Sequence, residues 1–280
     1  MPSYEPFLVR LEKTHTMPTF DTRAAGAPRT GAATPPSDPH NALAGVNVAV
    51  TGGTSGLGLA LVRELVDRGA NVAFVARSRD AVQRVAADHP ATRGIVGDVS
   101  KIEDVYPIAV QMIGALGTLD VLVNNASDLG PVPLALLADT ECEDFARALE
   151  TNVLGPFRLT KALLGSLASA ARERSGAAVV NISSDAAINA YPGWGAYGAS
   201  KAALHHMTRI WQEELRAEGI AVASFDPGDM DTPLHAAAVP EADRTQLKRP
   251  EDAARELADA IGRLLAARTG AAQPKRERAS

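Results

Sequence analysis

Tyr197 and Lys201 stand four residues apart in an apolar helical pattern, so their side chains share one helix face. An unperturbed phenol titrates near ~10, too high for easy proton exchange at neutral pH, and a nearby ammonium favours the phenolate. At about 4 Å and an effective dielectric of roughly 20, that attraction is on the order of 4 kcal/mol, or about three pKa units before desolvation subtracts. A tyrosine tuned this way exchanges a proton with an alcohol or carbonyl oxygen while a hydride moves to or from a nicotinamide. The pair alone is a weak signal, because Tyr and Lys at this spacing are common on solvated helices.

A second group of residues gives the pair a context. An apolar run ending at Val50 leads into Thr51-Gly52-Gly53-Thr54-Ser55-Gly56-Leu57-Gly58, and a helical pattern begins at once. Glycines there permit a tight turn and close approach of a pyrophosphate to the backbone, while the helix N-terminus offers free N–H groups and partial positive charge. Gly52, Thr54, Ser55, Gly56, Leu57 and Gly58 are therefore candidate dinucleotide contacts. The next apolar run ends Ala76-Arg77-Ser78-Arg79, with no acid to hold a ribose 2′-hydroxyl. Arg77 would pair with a 2′-phosphate, which favours NADP(H) over NAD(H). If Arg77 and Arg79 only solvate a loop, the preference stays open.

The elements that must position these residues alternate along the chain. Strands are expected at Val46–Val50, Asn71–Ala76, Arg93–Gly97, Leu119–Asn124, Ala177–Ile182 and Ile220–Phe225. Helices are expected near Leu57–Arg68, Asp80–Asp88, Ile102–Leu116, Glu143–Arg172 with a break, Ala196–Glu218 and Pro250–Arg268. Strands that are apolar with little alternation need cover on both faces, and alternating helices supply it. The expected fold class is α/β: one domain over residues 45–268 with a doubly wound parallel sheet and its ligands at the strands' C-terminal rim. Residues 1–44 hold seven of the eighteen prolines and no sustained apolar period, and read as a disordered or partner-docking extension. Residues 269–280 read as a flexible tail.

Composition excludes several functions. A net charge of −5 leaves no basic excess for nucleic acid, and no apolar run approaches a membrane span. The single cysteine, Cys142, excludes an intramolecular disulfide framework and a cysteine-rich zinc site, and suits a reducing compartment. His205 and His206, adjacent on a helix, diverge by roughly 100° and chelate one ion poorly, so no metal is expected. With no basic-then-apolar leader at the N-terminus, a cytoplasmic location is expected.

Several separate motifs, in order from about Gly45 to Arg268, resemble those of the short-chain dehydrogenase/reductases. The glycine loop is similar to that family's cofactor loop, which implies a Rossmann-type fold. Asp98-Val99 resembles its adenine-contacting pair, and Asn124-Asn125-Ala126 its fourth-strand motif, with Ser127 where a glycine is usual. Asn152 falls where the family keeps a helix-breaking asparagine that holds a relay water. Ser184, thirteen residues before Tyr197, matches the catalytic serine, with Ser183 the runner-up. Pro227-Gly228 and Thr232 resemble the segment that contacts nicotinamide. The resemblance implies Tyr197 as general acid/base, Lys201 as the residue that lowers its pKa and holds the nicotinamide ribose, Ser184 as a donor to the reacting oxygen, and Asn152 as support for the relay. It also implies cofactor contacts at Asn125, Ala126, Tyr197 and Lys201, and a homodimer paired through the helices at Glu150–Arg172 and Ala196–Glu218.

Two departures bear on what transfers. The segment after the last helix offers little for a seventh strand, which leaves six strands expected and the seventh in doubt. Asp226 and Asp229 add charge beside Pro227-Gly228, either shaping substrate choice or capping a loop. Gly193-Trp194, three residues ahead of the tyrosine, resembles the sepiapterin and benzil reductase branch, which implies reduction of a small carbonyl substrate; alternatively Trp194 only packs the site wall. Leu234, His235 and Val239 are expected pocket contacts of a lid at Asp229–Lys248. A catalytically silent NADP(H)-binding sensor, or a scaffold acting through residues 1–44, is compatible with the same fold.

Overall fold

Most strand segments are apolar at nearly every position, and only a sheet covered on both faces can bury them. The computed structural model describes residues 43–174 and 176–269, and in it β1 (Asn47–Thr51), β4 (Val121–Asn124) and β5 (Ala177–Ile182) are buried at every position. With β2 (Asn71–Ala76), β3 (Thr92–Val96) and β6 (Ile220–Phe225) they form one six-stranded parallel sheet in the order β3-β2-β1-β4-β5-β6. No seventh strand occurs among the described residues. The expected tail beyond residue 269 and the expected extension up to residue 42 lie outside them. Leu43 is fully buried in the core, so the packed domain begins ahead of the boundary expected at residue 45.

Alternate strand side chains feed two apolar layers, as the pleat requires. On one face Val48, Val50, Val72, Phe74, Val121 and Val180 meet helices α1 (Gly56–Asp67), α2 (Arg79–Asp88) and α8 (Pro250–Thr269). On the other, Ala49, Val75, Leu122 and Val179 meet α3 (Ile102–Leu116) and α5 (Gly155–Glu173). Arg68 ties α1 to α8 through Glu64 and Asp259, each at 2.6 Å.

The break expected within Glu143–Arg172 takes a specific form. Helix α4 (Cys142–Leu149) runs into a single π turn, Glu150–Leu154, and then directly into α5. The chain therefore stays helical past Asn152, with the wider turn closed by the Gly155 N–H on the Glu150 carbonyl. Helix α6 (Gly195–Glu214) ends four residues short of its expected end. The lid contains a short helix, α7 (Pro233–Ala238), N-capped by Thr232.

Candidate active site

Between β1 and β4 the strand order reverses, and the crevice this opens at the C-terminal rim is where doubly wound sheets hold ligands. A cleft of about 980 Å³ lies there, lined from the loops after all six strands. Gly52, Thr54, Ser55, Gly56, Leu57, Gly58, Arg77, Asp98, Val99, Asn125, Ala126, Ser184, Tyr197, Lys201, Pro227, Gly228 and Thr232 all line it. Asn152 does not; it lies behind the wall, fully buried.

At one end the glycine loop forms a cradle. Gly52 and Gly56 have φ of +70° and +49°, the left-handed region that disfavours a side chain. A Cβ on Gly58 would overlap the Gly52 carbonyl oxygen, so the turn closes only with glycine. Asn125 builds this turn: its Nδ2 donates to the carbonyls of Thr51 (2.8 Å) and Gly52 (3.3 Å). The Thr51 hydroxyl accepts the N–H groups of Asn125 and Ala126, pinning the end of β4 to β1. Ser55 stands at the N-cap of α1 without a side-chain capping bond, so the first-turn N–H groups remain open to an anion. Ser78, by contrast, caps α2, and Arg77 rather than Arg79 reaches the cleft.

At the other end Tyr197 and Lys201 project from α6 into the cleft, 7% and 2% exposed. The Lys201 ammonium donates to the Ile182 carbonyl at 2.8 Å and sits 5.5 Å from the centre of the Tyr197 ring. Burial pushes the phenol up to about 12, opposed by the favourable influence of the Ser184 and Ser127 hydroxyls on the phenolate. Burial also pulls Lys201 down to about 8, and the negative charge of Asp226 recovers part of that loss. The phenolate-favouring shift expected from a 4 Å pair is thus not what the structure holds: the ammonium is turned toward a carbonyl, and desolvation dominates the phenol. Ser184 lines the cleft, its Oγ donating to Asp185 (3.2 Å) and accepting from the Ala186 N–H (3.2 Å).

Asn152 has no side-chain capacity left for water. Its Oδ1 accepts from Ser127 Oγ (3.2 Å) and the Asp128 N–H (2.8 Å). Its Nδ2 donates to the Asp128 carbonyl (2.7 Å) and Ser200 Oγ (2.8 Å). Any water it supports must be held by its main-chain carbonyl in the π turn, not by the amide.

Two features escaped the sequence. Ser127 was legible only as a departure from a glycine position, yet it lines the cleft and its hydroxyl donates to Asn152. Asp185, beside the serine, receives the Tyr191 hydroxyl at 2.7 Å and thereby fixes the loop ahead of α6. Asp226 caps its own loop by accepting the Gly228 N–H (3.0 Å) and also lines the cleft. Trp194 packs edge-on against the Tyr197 ring, with centroids 5.7 Å apart. Leu234, His235 and Val239 line the cleft from a lid whose ends are pinned by the Asp231 N–H on Lys248 O and the Lys248 N–H on Asp229 O. No group of metal-ligating side chains is found among the described residues, and no helix there is long and apolar enough to cross a membrane.

The sheet and its rim define an α/β protein of doubly wound type whose cleft opens beside a buried phenol. Its sequence places it further: the chain belongs to the short-chain dehydrogenases, a family of oxidoreductases, matching that family's model over residues 46–243. It is 31% identical over 229 residues to an uncharacterized oxidoreductase of Mycobacterium bovis, covering 79% of this chain and 65% of that protein, a little under two thirds. It is 32% identical over 187 residues to L-fucose dehydrogenase of Mus musculus, covering 67% of this chain and 66% of that one. In structure it is similar to the 3-ketoacyl-(acyl-carrier-protein) reductase of Brucella melitensis complexed with NADH, with a TM-score of 0.72 and 27% identity over 77% of this chain and 90% of that one.

Proposed function

We propose that this protein is an NADP(H)-dependent carbonyl reductase in which Tyr197 is the general acid and base. The observation that carries the reading is Tyr197 itself: a buried phenol opening onto the cleft that Ser184 also lines, four residues from Lys201. A dinucleotide fits the opposite end, where the glycine cradle and the uncapped N-terminus of α1 suit a pyrophosphate and Arg77 suits a 2′-phosphate. When bound, the nicotinamide supplies or accepts the hydride.

The chain's own residues manage the proton. In reduction the carbonyl carbon gains a hydride, Tyr197 gives its proton to the oxygen, and the phenolate regains one from solvent. A phenol held near 12 is protonated throughout the physiological range, which favours the acid role and hence reduction. Ser184 turns its hydroxyl from Asp185 to donate to the reacting oxygen, and the Lys201 ammonium offsets the negative charge that develops on the phenol.

The substrate end carries Asp185, Asp226, Asp229 and Asp243, with His235 beside them and Lys201 as the lysine of the wall. That balance disfavours a phosphate or carboxylate substrate and supports a small neutral or cationic carbonyl compound, or a polyol. Pairing of two copies through α5 and α6 belongs to the same proposal, and light scattering tests it.

The test follows NADPH absorbance, with NADH in parallel, against ketones, vicinal diketones, quinones, pterins, L-fucose and a 3-ketoacyl thioester, using Tyr197→Phe as the blank. Turnover of an uncharged carbonyl compound that the variant loses by a factor of a thousand or more is expected, by comparison with a typical general-acid contribution of about 10²–10⁴. Tight NADPH binding with no Tyr197-dependent turnover would overturn the enzyme reading in favour of a silent binder.

A further inference from the structure

We propose that Asp185 is a specificity-determining residue: its carboxylate takes a hydrogen-bond donor, a hydroxyl or an ammonium, on the carbon next to the reacting carbonyl. The preferred substrates are then α-hydroxy or α-amino carbonyl compounds. This deepens the reading of Ser184 and Tyr197 as the residues that meet the reacting oxygen, and rests on it.

Ser184 has a single hydroxyl hydrogen. It is given to Asp185 Oδ1 at 3.2 Å, while the Ser184 oxygen accepts the Ala186 N–H at 3.2 Å. To donate to a carbonyl oxygen the hydroxyl must leave Asp185, and Oδ1 loses that donor. The other carboxylate oxygen is occupied, since Oδ2 accepts the Tyr191 hydroxyl at 2.7 Å. That bond holds the Asp185 carboxyl below the usual carboxylate range, so the group is an anion with acceptors only. No ion pair to Asp185 occurs among the described residues. Ser184, Asp185 and Tyr191 all line the cleft.

The substrate has to make good the lost bond. The reacting oxygen and Oδ1 both neighbour the Ser184 hydroxyl, too far apart to touch but near enough for one donor group to bridge. A hydroxyl or ammonium on the adjacent carbon is such a group: it stands beside the reacting oxygen and donates to Oδ1. In the open cleft Asp185 is exposed and water satisfies it. A substrate that displaces this water without supplying a donor leaves a carboxylate oxygen unpaired. A plain ketone incurs that penalty and an α-hydroxy ketone does not. Elsewhere the substrate end is apolar, with Leu129, Trp194 and Ala238 lining the cleft. A ketone with a donor on one flank and an apolar group on the other suits both features.

The experiment compares α-hydroxyacetophenone with α-methoxyacetophenone, which share a phenyl group and an electron-withdrawing oxygen but differ in the donor. The charged counterpart is α-aminoacetophenone. With NADPH and the unaltered protein, kcat/KM should favour the hydroxy or the amino ketone over the methoxy ketone by about 10-fold or more, as for a hydrogen bond to a charged group. Whichever of the two is favoured identifies the donor. Asp185→Ala should bring the ratio near one, and the isosteric Asp185→Asn should lower it severalfold. Tyr191→Phe should lower it least, because the carboxylate remains. Phenylethanediol and its methyl ether, compared by saturation-transfer NMR on the protein with NADPH, should show the same preference as binding. Hydroxy and methoxy compounds handled alike, or a preference untouched in both Asp185 variants, would overturn the inference and leave the carbonyl reductase reading standing. Asp185-dependent binding of the diol without turnover of any carbonyl compound would uphold it while sinking the proposed activity.

Discussion

Lys201 should cost the folded protein stability, and Lys201→Met should return it. The lysine is 2% exposed, and burial lowers its pKa from 10.5 to about 8. Below pH 8 the folded state must keep a buried ammonium that the unfolded chain keeps in water. At about 1.4 kcal/mol per pKa unit that penalty is roughly 3 kcal/mol. Methionine has similar length and no charge, but it gives up the bond to the Ile182 carbonyl, at a cost of about 1 kcal/mol. The variant should therefore be more stable at pH 7 by about 2 kcal/mol, raising Tm by roughly 4–8 °C for a domain of this size. Because the folded pKa lies below the unfolded one, the penalty is full below about 8, fades as pH rises toward 10.5 and vanishes beyond. Urea unfolding at pH 7 and pH 10 should show the variant's advantage in the first buffer and its loss in the second. An equal gap at both pH values, or a variant less stable at pH 7, would refute the assignment of a charged, desolvated lysine.

Three further outcomes are expected. Gly58→Ala forces a methyl against the Gly52 carbonyl, so urea unfolding should show a loss of about 1–3 kcal/mol and fluorescence titration a dinucleotide affinity at least ~10-fold weaker. Arg77→Asp should weaken NADPH binding by roughly 10- to 100-fold and change NADH binding little, as measured by the same titration; equal losses would remove the 2′-phosphate role. Reduction should slow as pH rises through about 8, where Lys201 loses its proton while Tyr197 keeps its own up to about 12, and stopped-flow kcat/KM for the substrate should lack that limb in Lys201→Met.

What the sequence disclosed and what it hid divide along a physical line. The glycine loop was legible because its chemistry is local: the positive φ values at Gly52 and Gly56 and the contact at Gly58 are demands on single residues within one turn. The strands were legible because an apolar run of this length has few places to go but a covered sheet, and β2, β5 and β6 begin and end where the periodicity puts them. The π turn at Glu150–Leu154 left only a hint of a break, since one extra residue in a helical turn barely disturbs a 3.6-residue pattern.

The phenol and its surroundings were hidden for a different reason. Four-residue spacing sets the face that Tyr197 and Lys201 share, but not how far water reaches it. Coulomb attraction alone gives a lowered phenol pKa, whereas the packed site turns the ammonium to Ile182 and raises the phenol. Ser127 and Asn152 are 25 residues apart in the chain, and their contact exists only because Thr51 clamps β4 to β1 and the helix crosses behind it. A site whose geometry is assembled by such long-range clamps shows its ingredients in sequence, while the sign of its electrostatics is settled only by burial. The stability of Lys201→Met at two pH values measures that burial directly, with no substrate required.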